Sequence, residues 1–241
     1  MTRTRTLTAL AIALAFAGCQ KESKGTVEGQ ESLPSESLPS EASAPIATDL
    51  AKYTEGLGEG TLMAQITTNH GVIHCELFEK GAPLTVANFV GLARGLHAFK
   101  NPKTGKVERR PYFDGLIFHR VIPRFMIQGG APLGLGSGGP GYMISNEVSP
   151  ELLHDRPGIM SMANAGANTN GSQFFITEVP RPGLNGDYNV FGECMEVDIV
   201  GKIARVDKRG STPSEPVVME KVEILRGDMS KYPKKPFVAT P

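Results

Sequence analysis

The chain has 241 residues, enough for one or two domains, and its 25 Lys and Arg balance 25 Asp and Glu. A formal net charge of zero supplies no global field toward nucleic acid, which is therefore excluded as the main partner. The 28 Gly and 18 Pro point to many turns between short strands rather than to long helices, and Trp is absent.

From the N-terminus, residues 1–18 read as charged, then apolar, then small. Arg3 and Arg5 form the basic region, Leu7 to Phe16 the apolar run, and Ala17-Gly18 the small residues before Cys19. The run is too short to span a bilayer as a mature helix, so a secretion signal is expected. Ending at Ala-Gly-Cys, it resembles the lipobox of bacterial lipoproteins, in which the cysteine thiol is lipidated and the peptide is cut before it. That resemblance implies a membrane anchor at Cys19, each buried CH2 adding about 0.8 kcal/mol. Gln20 is not the Asp associated with inner-membrane retention, which implies an outer-membrane address facing the periplasm.

Residues 19–60 are expected to be a disordered tether. The stretch 20–48 is rich in Ser, Glu, Pro, Gly and Ala, and Glu-Ser-Leu-Pro-Ser occurs twice in succession, at 31–35 and 36–40. Such a composition buries too little apolar area to offset its ordering entropy.

Residues 61–226 read as the folded domain. Ile66 to Phe78 form a hairpin around Asn69-His70-Gly71, with Ile73, Cys75 and Leu77 alternating with His74 and Glu76. Ala82 to Arg94 is helical: Pro83 suits the first turn, Val86, Phe89, Val90 and Ala93 share a face, and Gly95 ends it. Residues 97–111 are polar and read as a loop. Short apolar segments follow at 116–122, 125–128, 158–162, 174–177, 190–192 and 217–225, with a second helix over 197–206. This pattern predicts a mainly β domain, a closed antiparallel barrel capped by two helices. The Lys- and Pro-rich tail, 227–241, is expected to be poorly ordered.

Three stretches carry the chemistry: Phe118-His119-Arg120-Val121-Ile122-Pro123-Arg124-Phe125-Met126-Ile127-Gln128-Gly129-Gly130, Gly136 to Tyr142, and Ser161 to Ile176. In this order and spacing they resemble the cyclophilin family of peptidyl-prolyl cis-trans isomerases, over about Leu62 to Leu225. The resemblance implies an eight-stranded barrel that acts on proline-containing peptides and unfolded exported proteins. It implies Arg120 as the catalytic group, and Phe125, Met126, Phe175 and Leu184 as the proline pocket. Ala163, Asn164 and Ala165 would form the groove edge, with Gln128 and Gln173 as polar groups of the groove. Gly136 would border a neighbouring small pocket, and Tyr188 would stand where the family has its pocket-rim His. Gly183 falls where many eukaryotic members carry a rim Trp, which implies weak binding of cyclosporin.

The chemistry fits the residues. Rotation about an X-Pro bond is slow because amide resonance must be lost, at a barrier near ~20 kcal/mol. No bond is made or broken, so no nucleophile, metal or cofactor is required. A catalyst needs an apolar slot for the ring and a cationic donor for the lone pair that the twisted prolyl nitrogen regains. The permanently charged guanidinium of Arg120 is such a donor, and a neighbour such as Gln128 can hold it. His119 is expected to be structural and, by strand alternation, to point away from Arg120.

Other motifs are set aside. Gly134, Gly136 and Gly139 match G-x-G-x-x-G formally, but Pro140 and Gly141 forbid the helix a dinucleotide site needs. His70 and His74 sit on a turn and strand without HExxH, and Ser172, His119 and Asp114 lack a nucleophile elbow. Cys75 and Cys194 are expected to be two buried free thiols, although adjacent strands would permit a disulfide. A monomer is expected. A non-catalytic proline-peptide binding module is the alternative reading, and a secreted barrel for a small molecule is a third.

Overall fold

The computed structural model describes residues 41–238. The stretch expected to be a signal sequence, Cys19 and the repeated part of the expected tether lie outside the described residues. The elements run α1 (Asp49–Thr54), β1 (Thr61–Thr68), β2 (Gly71–Leu77), α2 (Pro83–Ala93), β3 (Phe99–Lys100), β4 (Val107–Glu108), β5 (Phe118–Ile122) and β6 (Met126–Gly129). They continue with β7 (Ile159–Met162), β8 (Phe174–Thr177), β9 (Val190–Cys194), α3 (Val197–Ala204), β10 (Lys208–Arg209), β11 (Thr212–Pro213) and β12 (Met219–Gly227).

Eight strands form one antiparallel sheet in the order β12-β1-β2-β9-β7-β8-β6-β5. The sheet curls until its ends meet. Just ahead of β5, Phe118 N–H donates to Val217 C=O at 2.9 Å and Met219 N–H to Leu116 C=O at 2.8 Å. The result is the mainly β barrel expected from the sequence, and its two sheet ends are covered.

Alternation and helix periodicity explain what lies inside. On β2, Ile73, Cys75 and Leu77 are buried while His74 and Glu76 are half-buried. Phe89 of α2 stacks on Phe113 at 4.9 Å between ring centroids and meets Phe174 and Phe191 at 5.6 and 5.4 Å. Pro83 opens α2, and Glu147 caps it from a distant loop. The Glu147 carboxylate accepts the backbone N–H of Leu84 and Thr85 at 2.9 and 2.7 Å, where the helix dipole favours negative charge. Gly95, at φ +67°, ends the helix as expected.

The structure differs from the sequence reading in four places. The stretch assigned to the tether contains α1, whose Leu50 and Tyr53, three residues apart, are buried. Tyr53 rests where any side chain at Gly91 of α2 would stand, and its hydroxyl is 2.6 Å from His97 Nδ1. The loop over 97–111 holds the short β3–β4 pair. The tail packs: Tyr232 stacks on His74 at 3.9 Å, Lys235 exchanges backbone hydrogen bonds with Met195 and Asp198, and Phe237 covers Gly201 on α3. Finally, Cys75 and Cys194 are directly opposite on neighbouring β2 and β9 and are joined by a disulfide, which replaces the two free thiols expected.

Candidate active site

β5, β6 and β8 build the floor of a cleft of about 460 Å³ on the barrel surface. Arg120 of β5 pairs in register with Gln128 of β6, which pairs with Phe175 of β8. Around these stand Phe125, Met126, Gly136, Ala163, Asn164, Leu184 and Tyr188. Met126 and Phe175 are buried at the base, and Phe125, Leu184 and Tyr188 are half-buried walls. Ala165 and Gln173 line an adjoining cavity of about 570 Å³, which shares Gln128, Gly136, Ala163 and Asn164 with the first. All the site residues expected in the folded domain are thus brought to one continuous groove.

A directed hydrogen-bond chain fixes the guanidinium. Arg120 Nη1 donates to Gln128 Oε1 at 3.1 Å, Gln128 Nε2 to Gln173 Oε1 at 3.2 Å, and Gln173 Nε2 to Gly136 C=O at 3.0 Å. Both glutamine amides therefore have only one consistent orientation. Arg120 Cζ lies 5.8 Å from the centre of the Phe125 ring, so the charge flanks an apolar surface.

The other wall is aromatic. Tyr188 meets Phe175 edge-on at 5.7 Å, and behind Phe175 the fully buried His154 lies nearly parallel at 5.8 Å. His154 Nδ1 is 3.1 Å from Asn185 Oδ1 and donates to it. Burial pushes the His154 pKa down, against the upward pull of Asn185, so the ring is neutral at pH 7. At the groove edge, the Asn164 side chain donates to Asp187 C=O at 2.9 Å. Among the described residues nothing bonds to the Asn164 backbone N–H or C=O.

Several groups at the site were not anticipated. His119 also lines the cleft, with Gly134, Leu135, Ser211 and Thr212. Strand alternation sends His119 away from Arg120, but β5 carries one extra residue against β6 between Phe118 and Arg120. That bulge turns consecutive side chains toward the same region. Burial first, and the Arg120 charge second, lower the His119 pKa. The imagined triad is not assembled: Ser172 Oγ is 2.8 Å from Gly130 C=O and 3.0 Å from Tyr112 Oη, while Asp114 accepts Val222 N–H at 2.9 Å.

The model of the family "cyclophilin type peptidyl-prolyl cis-trans isomerase/CLD" matches residues 63–224, from within β1 to within β12. The chain belongs to this family. The cyclophilin is 46% identical over 168 residues to peptidyl-prolyl cis-trans isomerase A of Mycobacterium tuberculosis, covering 68% of this chain and 92% of that one. It is 47% identical over 157 residues to peptidyl-prolyl cis-trans isomerase B of Streptomyces anulatus, covering 64% and 87%. Among solved structures, a cyclophilin-type isomerase of Cryptosporidium parvum superimposes with a TM-score of 0.60 at 34% identity, over 70% of this chain and 99% of that one. A crystal structure of the same parasite protein in the presence of the dipeptide Ala-Pro gives a TM-score of 0.58 at 34% identity, over 69% and 99%. The barrel is a peptidyl-prolyl cis-trans isomerase.

Proposed function

We propose that this cyclophilin accelerates X-Pro rotation in exported polypeptides at the cell envelope, with Arg120 as its catalytic group and an acylated Cys19 as its anchor. The proline ring sits among Phe125, Met126 and Phe175, with Leu184 and Tyr188 at the rim. An extended client pairs with the free backbone groups of Asn164, as an added strand pairs with a sheet edge. When the imide twists, its nitrogen regains a lone pair and becomes an acceptor for a guanidinium already held in place. Because the chain from Arg120 through Gln128 and Gln173 to Gly136 exists before the client arrives, little reorganisation accompanies the twist. The observation that carries this reading is the single groove in which Arg120 flanks Phe125 and an apolar base.

Export has independent support. A disulfide between Cys75 and Cys194 persists in an oxidising compartment, which agrees with the N-terminal secretion pattern. Replacing Cys19 with Ser should release the protein from the membrane fraction and abolish incorporation of labelled fatty acid. Retention of both after the change would refute the anchor.

Catalysis is tested with Arg120→Ala on a proline peptide. Loss of a charged donor aimed at the transition state should lower kcat/KM about 100-fold, with an unchanged folded spectrum. Equal activity in the two proteins would reject Arg120. Intact peptide binding with no isomerisation by the wild type would favour the non-catalytic module instead.

A further inference from the structure

The rim of the proline pocket carries a cation that the isomerisation mechanism leaves unused. Arg181 stands just before the short turn Pro182–Leu184, and its Cζ lies 5.0 Å from the centre of the Phe125 ring. Its Nη2 donates to the carbonyl of Arg124, which holds the side chain on that ring. Arg120 approaches the same ring, so one pocket wall is shared by two guanidiniums. Arg124 is exposed and adopts φ +58°, a left-handed conformation tied down by its N–H donating to Glu178 Oε2 at 2.7 Å.

The carboxylate that holds the Arg124 backbone, Glu178, is buried and spends its other oxygen on Arg205 at 2.7 Å. Among the described residues, Arg120, Arg124 and Arg181 form no ion pair with any carboxylate. In a chain of zero net charge, Arg120 and Arg181 thus flank the Phe125 wall of the groove, with Arg124 the residue before it.

Their position relative to a client follows from the cavities. Toward Asn164 the proline cleft runs on into the adjoining cavity, which Phe125 does not line. Phe125 thus belongs to the part of the cleft away from that cavity, and Arg181, which lines neither cavity itself, stands on the Phe125 ring. Gly183, two residues on, has nothing within 4 Å of where a Cβ would stand, so it adds no side chain to that rim, and Arg181 itself is half-buried.

We propose that Arg181, assisted by Arg124, selects clients carrying a carboxylate close to the proline on the flank that leaves past Phe125. With Nη2 on the Arg124 carbonyl and Nε buried, the remaining N–H groups of the permanently charged guanidinium can meet a carboxylate, and the ring against it restricts its motion. This selectivity rests on the isomerase reading and refines it.

The test uses matched proline peptides differing at one position as Glu, Gln or Lys. One set varies the residue after proline and a second varies the residue before it, with kcat/KM read by exchange NMR. In one set Glu should exceed Lys about fivefold, the size of an ion pair at a partly exposed site, with Gln between. That ratio should fall toward unity in Arg181→Gln, and in the wild type at about 0.5 M salt. A wild-type ratio within roughly twofold of unity in both sets would overturn the proposal, as would a ratio unchanged in the variant. Turnover of the Gln peptides separates the two readings. Its absence in the wild type sinks the isomerase assignment, whereas turnover without charge preference sinks only the selectivity.

Discussion

Consider reduction of the bond between Cys75 and Cys194, which closes a loop of 119 residues. In the unfolded chain, a cross-link over that separation removes about 16 cal/mol/K of loop entropy, worth about 5 kcal/mol at 25 °C. The folded state gives little of this back. β2 and β9 hold the two residues opposite each other through sheet hydrogen bonds, and both sulfurs are fully buried among apolar neighbours. Breaking the bond should therefore act mainly on the unfolded ensemble, which expands. At about 2–4 °C per kcal/mol for a domain of this size, the thermal midpoint should fall by about 10–20 °C. Urea unfolding with and without reductant should show a lower midpoint and a steeper slope, because more surface is exposed on unfolding. The variant replacing both cysteines with Ala should reproduce the shift without reductant, and intact mass should rise by the two hydrogens only on reduction. Two titratable thiols in the unreduced protein, or midpoints that coincide, would refute the reasoning.

Acid should destabilise the barrel through its histidines. Burial lowers the pKa of His97, His119 and His154 below the usual 6.5, so the unfolded chain takes up protons first. Their contribution is complete above about pH 6.5 and shrinks as pH falls, by at most about 1.4 kcal/mol per pH unit for each ring. Urea midpoints between about pH 7.5 and 5.5, above the range where carboxylates titrate, should decline; a rise would contradict the sign. Glu178→Ala should cost about 2–3 kcal/mol and weaken turnover, because it orphans the Arg124 N–H at the turn that presents Phe125. Unchanged melting and unchanged activity would remove Glu178 from that role. Gly183→Trp should tighten cyclosporin inhibition at least about tenfold, since the resemblance assigns that drug contact to a rim Trp and the site is open. The new residue is the only Trp in the chain, so its fluorescence reports binding directly, and an unaltered titration would count against the rim assignment.

Local periodicity made most of the fold readable. Period-two burial marks β2, the spacing of Val86, Phe89, Val90 and Ala93 marks α2, and each of the six short apolar segments between Leu116 and Leu225 holds a strand. Most of the expected site residues were readable because they cluster in three motifs, two of which hold the strands that pair at the cleft floor; Leu184 and Tyr188 lie outside them. What escaped depends on pairing across long separations. Whether Cys75 meets Cys194 is decided by the adjacency of β2 and β9, and nothing local to either cysteine encodes that. The bulge that brings His119 beside Arg120 exists only in the register of β5 on β6. In α1, Leu50 and Tyr53 are too few to mark an amphipathic helix, and Tyr53 is anchored on the bare surface at Gly91. Arg181 lay outside every motif. Its contact with Phe125 arises from the fold alone.

The distribution of site residues between strands and loops divides the work of the groove. A catalyst that makes no bond must distinguish a planar imide from a twisted one, a difference of fractions of an ångström in where one nitrogen sits. Groups that make this distinction need fixed positions, and Arg120, Met126, Gln128 and Phe175 all lie on paired strands. Gly136 and Asn164 lie between elements, as do Tyr188 and Arg181, and Leu184 closes the short helical turn Pro182–Leu184. Those positions can change without disturbing the sheet, because no ladder hydrogen bond depends on their side chains. Replacement of a rim Trp by glycine is therefore compatible with an intact catalytic floor. On this view, substitutions on the strands should alter turnover of every proline peptide alike, whereas substitutions at the rim should alter which peptides are turned over.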